Sequence, residues 1–218
     1  WVKSQLLSIT IRRSQLMDAT TALFELLFLL ALGLITPGPN ALTCFAHSGI
    51  FGKKSNVSLI SGMVIGFVSI ELIIGLLVNS LDGNETALIY LHWIGMAFLC
   101  AMIVAMFKID PIRIKAETEE GRLGLKTGII MQYVNGKEWA FVIIMMSQYI
   151  EPLGGGLAGI GVIILVTLIT CISAMIAWTF FGDRLSGLFS NEIYGRRIFQ
   201  TCGVLLSLLL ISFLTVSY

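Results

Sequence analysis

The chain has 218 residues, of which 56% are hydrophobic and only 12% charged, with a formal net charge of +1. Soluble domains carry about 25% charged residues, so this composition excludes a surface solvated by water on all sides and places most of one domain in lipid. A net charge so close to zero also excludes nucleic acid as a partner.

In chain order, residues 1–16 are amphipathic and basic, and Met17 stands directly before the first apolar run. Met17 is read as the biological start, with 1–16 an upstream extension outside the fold and 17–218 a single transmembrane domain. A helix crossing the hydrocarbon core needs about 20 mostly apolar residues. Such stretches run from Ala22 to Ala46, Val57 to Val78, Ala87 to Phe107, Thr127 to Tyr149, Leu157 to Phe181 and Ile198 to Val216. The expectation is therefore an all-α integral membrane protein with six transmembrane helices. The charged loop 108–126 divides it into three-helix halves, 22–107 and 127–218. Two such halves must insert with opposite topology, which predicts a 3+3 inverted repeat.

Basic residues gather in alternate loops: Lys53 and Lys54, then Lys108, Arg113, Lys115, Arg122 and Lys126, then Arg184, Arg196 and Arg197. The intervening loops carry Asp82, Glu85 and Glu151 instead. By the positive-inside rule the basic loops are cytoplasmic and both termini lie outside, in a multi-pass protein of the cell inner membrane.

Two expected spans are interrupted. The first contains Thr36-Pro37-Gly38-Pro39-Asn40. Its two prolines remove backbone donors and clash with the preceding turn, so helix 1 must break. Non-helical backbone at membrane depth survives only where protein buries it or a wet cavity adjoins it. A helix restarting at Pro39 or Asn40 would turn its positive N-terminus toward the interior, where it suits a carboxylate. A plain structural kink is the competing reading.

The fourth span contains Gln132-Tyr133-Val134-Asn135-Gly136-Lys137-Glu138, predicting a second interrupted helix. A charge at the bilayer centre costs roughly 2.5–3.5 kcal/mol on insertion scales. Lys137 lies about 16 Å of helix rise from Lys126, too deep to reach the surface easily. Lys137 and Glu138 either pair across unwound backbone or find separate partners; they serve a substrate or proton site, or only lock helix packing. Glu71 is the one charged residue of the second span and, with Glu138, a proton-coupling candidate. Gly62 and Gly66, and the run Gly155 to Gly161, read as sites of close helix packing. His47 and His92 stand at span ends, where interfacial roles are expected.

Cys44, Cys100, Cys171 and Cys202 are scattered, without a CxxC pair or metal-ligand spacing. No metal site and no cofactor is expected from them, and they read as small packing residues.

The TPGPN motif with the short loop His47 to Lys54, Gly62 and Gly66, His92-Trp93-Ile94-Gly95 and Gln132 to Lys137 together resemble the LysE/RhtB family of amino-acid exporters. The similarity extends over nearly all of Met17 to Tyr218. The GMxxGF pattern and QYVNxK are most similar to the cysteine/O-acetylserine exporter branch. Two positions depart from the family pattern: Gly136 stands where proline is frequent, and Phe67 where many members have a polar residue.

The resemblance implies an antiport exporter of amino acids or their derivatives, driven by the proton gradient, with small neutral substrates such as cysteine or O-acetylserine. Its substrate site would comprise Pro37, Gly38, Pro39, Asn40, Gln132, Asn135 and Lys137, with Glu71 and Glu138 coupling to protons. The implied partners are the amino acid, protons, the lipid bilayer and a second copy in a homo-oligomer. An exporter of metal ions from a related superfamily is the alternative. A membrane thiol–disulfide enzyme lacks a cysteine opposite Cys44 near Asn135, so no enzyme is expected. A non-transporting membrane scaffold would leave the buried charges unexplained.

Overall fold

The computed structural model describes residues 18–35, 38–81, 84–108, 121–189 and 192–215. The expected start at Met17, the extension 1–16 and most of the loop 108–126 lie outside them. All the regular structure described is helical: α1 (Ala19–Ile35), α2 (Pro39–Phe51), a 3-10 turn (Lys53–Ser55), α3 (Asn56–Ser80), α4 (Glu85–Lys108), α5 (Leu125–Val134), α6 (Gly136–Tyr149), α7 (Gly156–Phe189) and α8 (Glu192–Thr215).

Local chemistry sets the helix ends. The Thr21 N–H donates to Asp18 Oδ1 at 2.7 Å, capping α1 and holding the exposed Asp18 carboxyl below its ordinary range. At the start of α2, Gly38 is extended (φ −90°, ψ −177°) and Pro39 takes the first turn, where its missing N–H costs no bond. α2 ends at Gly52, whose φ of 78° is left-handed and favours glycine. Gly154, Gly155 and Gly156 have φ of 119°, 69° and 48°, so part of the glycine run reverses the chain before α7 rather than packing helices.

The expected six spans, and the 3+3 inverted repeat built on them, are overturned. Among the described residues two helices are long and apolar enough to cross a membrane: Lys53–Ser80, with mean hydropathy 2.3, and Gly156–Gly182, with 2.7. A third is reached only if Ala19–Leu34 and Pro39–Phe51, bent by 49°, count as one. Apolar length along the sequence is not length of continuous helix. The expected fourth span is split at Asn135 into α5, of 10 residues, and α6, of 14; neither reaches the roughly 20 that a crossing takes. Over their described residues α4 and α8 do not meet the criterion either.

The polarity of the bundle is that of a membrane protein. Val57, Ile65, Leu72 and Ile73 on α3 are exposed, as are Leu157, Leu165, Ile169 and Phe181 on α7. The buried set meanwhile includes Asn40, His47, Asn56, Glu71, Gln132, Asn135 and Lys137. Apolar flanks around a polar interior suit lipid and would be costly in water.

α3 lies along α5, α2 along α7, and α4 along both α6 and α8. Glycines permit the closest crossings. A methyl on Gly62 would overlap the Leu125 carbonyl, and one on Gly128 the Leu59 carbonyl, so α3 and α5 meet backbone to backbone. Gly182 of α7 lies equally close to the Phe45 carbonyl of α2. Ile143, Ile144, Met145 and Met146 of α6 fill the core between these pairs.

Gly62→Ala is expected to destabilise the protein by about 1–3 kcal/mol, the usual cost of overpacking. Gly161→Ala, with nothing within 4 Å of the new methyl, should be neutral or slightly stabilising. Thermal unfolding of both variants in detergent checks this; equal midpoints would refute the backbone contact.

Candidate functional site

The two helix breaks face one another. At the second, Asn135 leaves the helical region (φ −84°, ψ 92°) and its side chain accepts from the Lys137 N–H at 3.2 Å, capping α6. The Asn135 carbonyl accepts from the N–H groups of Glu138 and Trp139 at 3.0 and 3.3 Å. The residue thus starts α6 with both its side chain and its backbone. Gly38, at the start of α2, comes so close to Lys137 that an added methyl would lie 2.9 Å from Cδ and 3.3 Å from Nζ.

Asn40 and Gln132 form a reciprocal amide pair. Asn40 Nδ2 donates to Gln132 Oε1 at 2.8 Å, and Gln132 Nε2 donates to Asn40 Oδ1 at 3.0 Å. Their second N–H groups go to Glu138 Oε1 at 3.1 Å and to the Gly128 carbonyl at 3.3 Å. Asn135 Nδ2 adds a longer bond to the same Glu138 oxygen at 3.4 Å. These amide orientations agree with one another, since reversing Asn40 would set its oxygen against the carboxylate.

Lys137 and Glu138 are adjacent in sequence but serve different partners. Lys137 Nζ donates to the Gly33 carbonyl at 2.5 Å. That carbonyl lies in the last turn of α1, where helical acceptors are left over and the dipole is negative. Glu138 lies in the first turn of α6, the positive end. Each charge therefore meets the helix end of opposite sign, and Lys137 also lies 5.8 Å from the centre of the Phe141 ring.

A cleft of about 40 Å³ opens here. Its lining combines Gly33, Gly38, Asn40, Lys137 and Glu138 with the apolar Phe67, Phe141, Met145 and Met175. At roughly 10–15 Å³ per water, it has room for a few waters but not for an amino acid.

Of the residues singled out in the sequence, Gly38, Asn40, Gln132, Asn135, Lys137 and Glu138 are brought together here. Pro39 opens α2 beside them, and Pro37 lies outside the described residues. Glu71 stands apart from the cleft lining, one turn along α3 from Phe67, and is fully buried. Its Oε1 accepts from Thr167 Oγ1 at 2.6 Å, and among the described residues its Oε2 has no hydrogen-bond partner.

His47 is not interfacial, as its place near a span end suggested; it is completely buried. Its Nε2 accepts from the Leu123 N–H at 2.9 Å. Nδ1 therefore carries the proton and lies 2.6 Å from Asn56 Oδ1 and 3.2 Å from Ser55 Oγ. Asn56 Nδ2 in turn donates to the Cys44 carbonyl at 2.6 Å and to Thr179 Oγ1 at 2.8 Å. This network joins α2, α3 and α7 below the cleft. Its one sequence signal is a cluster of polar residues, His47, Ser48, Ser55 and Asn56, where two apolar runs meet. The side chain of His92 is outside the described set.

Among the described residues no group of three or more His, Cys, Asp or Glu could hold a metal ion. Cys44, Cys100 and Cys171 are free thiols. Neither finding supplies the donor cluster that the metal-exporter alternative needs, or the cysteine pair of a thiol–disulfide enzyme.

No family model matches the chain, and no solved structure does. Curated relatives are distant but agree with one another. The chain is 27% identical over 180 residues to the cysteine/O-acetylserine efflux protein of Salmonella typhimurium (strain LT2), covering 81% of this chain and 87% of the relative. It is 26% identical over 181 residues to that of Salmonella typhi, with the same coverage. With that of Klebsiella pneumoniae it shares 25% identity over 167 residues, covering 75% and 82%.

The contact between Gly38 and Lys137 can be tested by coupling. Gly38→Ala should displace the ammonium from the Gly33 carbonyl and cost about 1.5–3 kcal/mol, the worth of a charged hydrogen bond. In a Lys137→Met background the same change should cost little. Equilibrium unfolding in mixed micelles gives the double-mutant cycle, and additive costs would show that the two residues do not communicate.

Proposed function

We propose that this membrane-embedded protein, which is related to a small-molecule efflux family rather than to enzymes, exports small neutral amino acids or their derivatives, such as cysteine and O-acetylserine, from the cytoplasm in exchange for protons. The observation that carries this reading is the meeting of two helix breaks at a buried cation, a half-buried carboxylate and a set of amides. An amino acid is a zwitterion, and the cleft presents both complements. Lys137 and the N-terminus of α2 suit its carboxylate, Glu138 suits its ammonium, and Asn40, Gln132 and Asn135 orient both. The apolar part of the lining, with Phe67, Met145 and Met175, suits a short uncharged side chain.

So small a cleft suits a substrate-free stage of an alternating-access cycle, in which the substrate displaces the Asn40–Gln132 pair as the helices part. Asn135→Ala removes the α6 cap as well as the orienting amide. Efflux of preloaded cysteine from proteoliposomes is expected to fall by about 10-fold or more, in line with the loss of a buried polar contact. Unchanged efflux would sink the assignment.

Glu71 is the proposed proton carrier. Thr167 has one hydroxyl proton and three acceptors in reach: Glu71 Oε1 at 2.6 Å, the Ile163 carbonyl at 2.9 Å and the Ile164 carbonyl at 3.0 Å. With a proton on Glu71 Oε1, the acid donates to Thr167 and Thr167 donates to its own helix, so no charge is buried and both hydroxyl protons have acceptors. Without it, the hydroxyl must turn to the carboxylate. Glu71→Gln should abolish uphill transport driven by an imposed pH gradient while leaving substrate exchange at equal pH intact. Gradient-driven accumulation at the unmodified rate in that variant would remove Glu71 from the cycle.

A further inference from the structure

Next to the cleft lies a sulfur cluster of which the transport reading uses only Met175. Cys44 of α2 is wholly buried, and its Sγ lies 3.8 Å from Met63 Sδ on α3 and 3.9 Å from Met175 Sδ on α7. Two neighbouring helices, α3 and α7, thus each bring a thioether sulfur against the Cys44 thiol, with Trp178 and Met131 packed around them. We propose that Cys44, Met63 and Met175 form an all-sulfur binding site for a soft monovalent cation, Cu(I) or Ag(I).

The spacing fits such an ion. With metal–sulfur bonds of about 2.3 Å, a trigonal arrangement sets the sulfurs about 4.0 Å apart, close to both distances found. Thiolate and thioether donors select Cu(I) over harder ions. The charge balance also suits a buried site. On binding, the Cys44 S–H bond breaks, its proton leaves through the cleft and a sulfur–metal bond forms. No electron moves, because the ion enters already monovalent, and thiolate plus cation is neutral. A divalent ion would leave an uncompensated charge in an apolar interior.

The surroundings hold the ligands in place and offer a route in. Asn56 fixes Cys44 through its carbonyl and grips Thr179, one turn from Met175 on the same helix, so α2 and α7 are pinned on both sides of the sulfurs. Met175 also lines the cleft, so one ligand faces the space from which an ion would arrive while touching Cys44.

The test uses the full chain in detergent, with Cys100, Cys171 and Cys202 replaced by serine so that Cys44 is the sole thiol. Anaerobic Cu(I) titration against a chromophoric Cu(I) chelator should show one ion per chain. Met63→Leu and Met175→Leu, which conserve volume, should each weaken binding by about 10-fold or more, and Cys44→Ser should abolish it. X-ray absorption of the loaded protein needs no ligand variant and should count three sulfur neighbours. One or two sulfurs, affinity untouched in both leucine variants, retention of Cu(I) by Cys44→Ser, or equally tight Zn(II) binding would each overturn the proposal.

Discussion

The Lys137 ammonium lies against the Gly33 carbonyl, where the last turn of α1 leaves acceptors unused, and the polar interior is arranged around that contact. An isolated charge at such depth is costly, and one left without a partner there more so. The break after Ile35 exposes the carbonyls that receive the ammonium, and the break at Asn135 frees the backbone that positions Lys137. Each interruption thus supplies what the other lacks. Glu138 completes the arrangement from the opposite pole of α6, and its Oε1 gathers the amides of Asn40 and Asn135. Neither break would be tolerable alone in a lipid-facing helix, because unsatisfied backbone has no water to turn to.

The wider architecture follows from the same economy of hydrogen bonds. The buried side chains of His47, Asn56 and Thr179 are tied into one network, while the outward flanks of α3 and α7 are left apolar. Glycines at Gly62, Gly128 and Gly182 bring backbones together where side chains would hold them apart. That close approach lets short polar groups such as Asn56 span from one helix to another.

Parts of this were legible from residues alone. The prolines flanking Gly38 and the amide–glycine–cation run at Asn135 announced both breaks, because proline and glycine act on their own backbone wherever they sit. The count of six spans failed in part for the same reason: in the first and fourth expected spans those residues shorten continuous helix without lowering the apolar content that a count registers. Thr167 gave no signal, being a small polar residue in an apolar run whose partner is 96 positions away. Met63 and Met175 read as ordinary packing residues, since convergence of sulfurs from three helices is a property of the assembled bundle. His47 was misplaced because nearness to a span end says little about whether Leu123, a residue far along the chain, folds back over the ring.

On the proposed export reading, the reciprocal amide pair of Asn40 and Gln132 bears on what the protein must refuse as well as what it must carry. Protons travel along water files by hopping, and a carboxylate or imidazole in the file passes them on. A carboxamide does so only through a high-energy imidic form. Two amides spending their oxygens and N–H groups on one another therefore act as an insulating joint beside Glu138 and Lys137. An exporter of the proposed kind could keep ionisable groups at its centre in this way without short-circuiting a gradient.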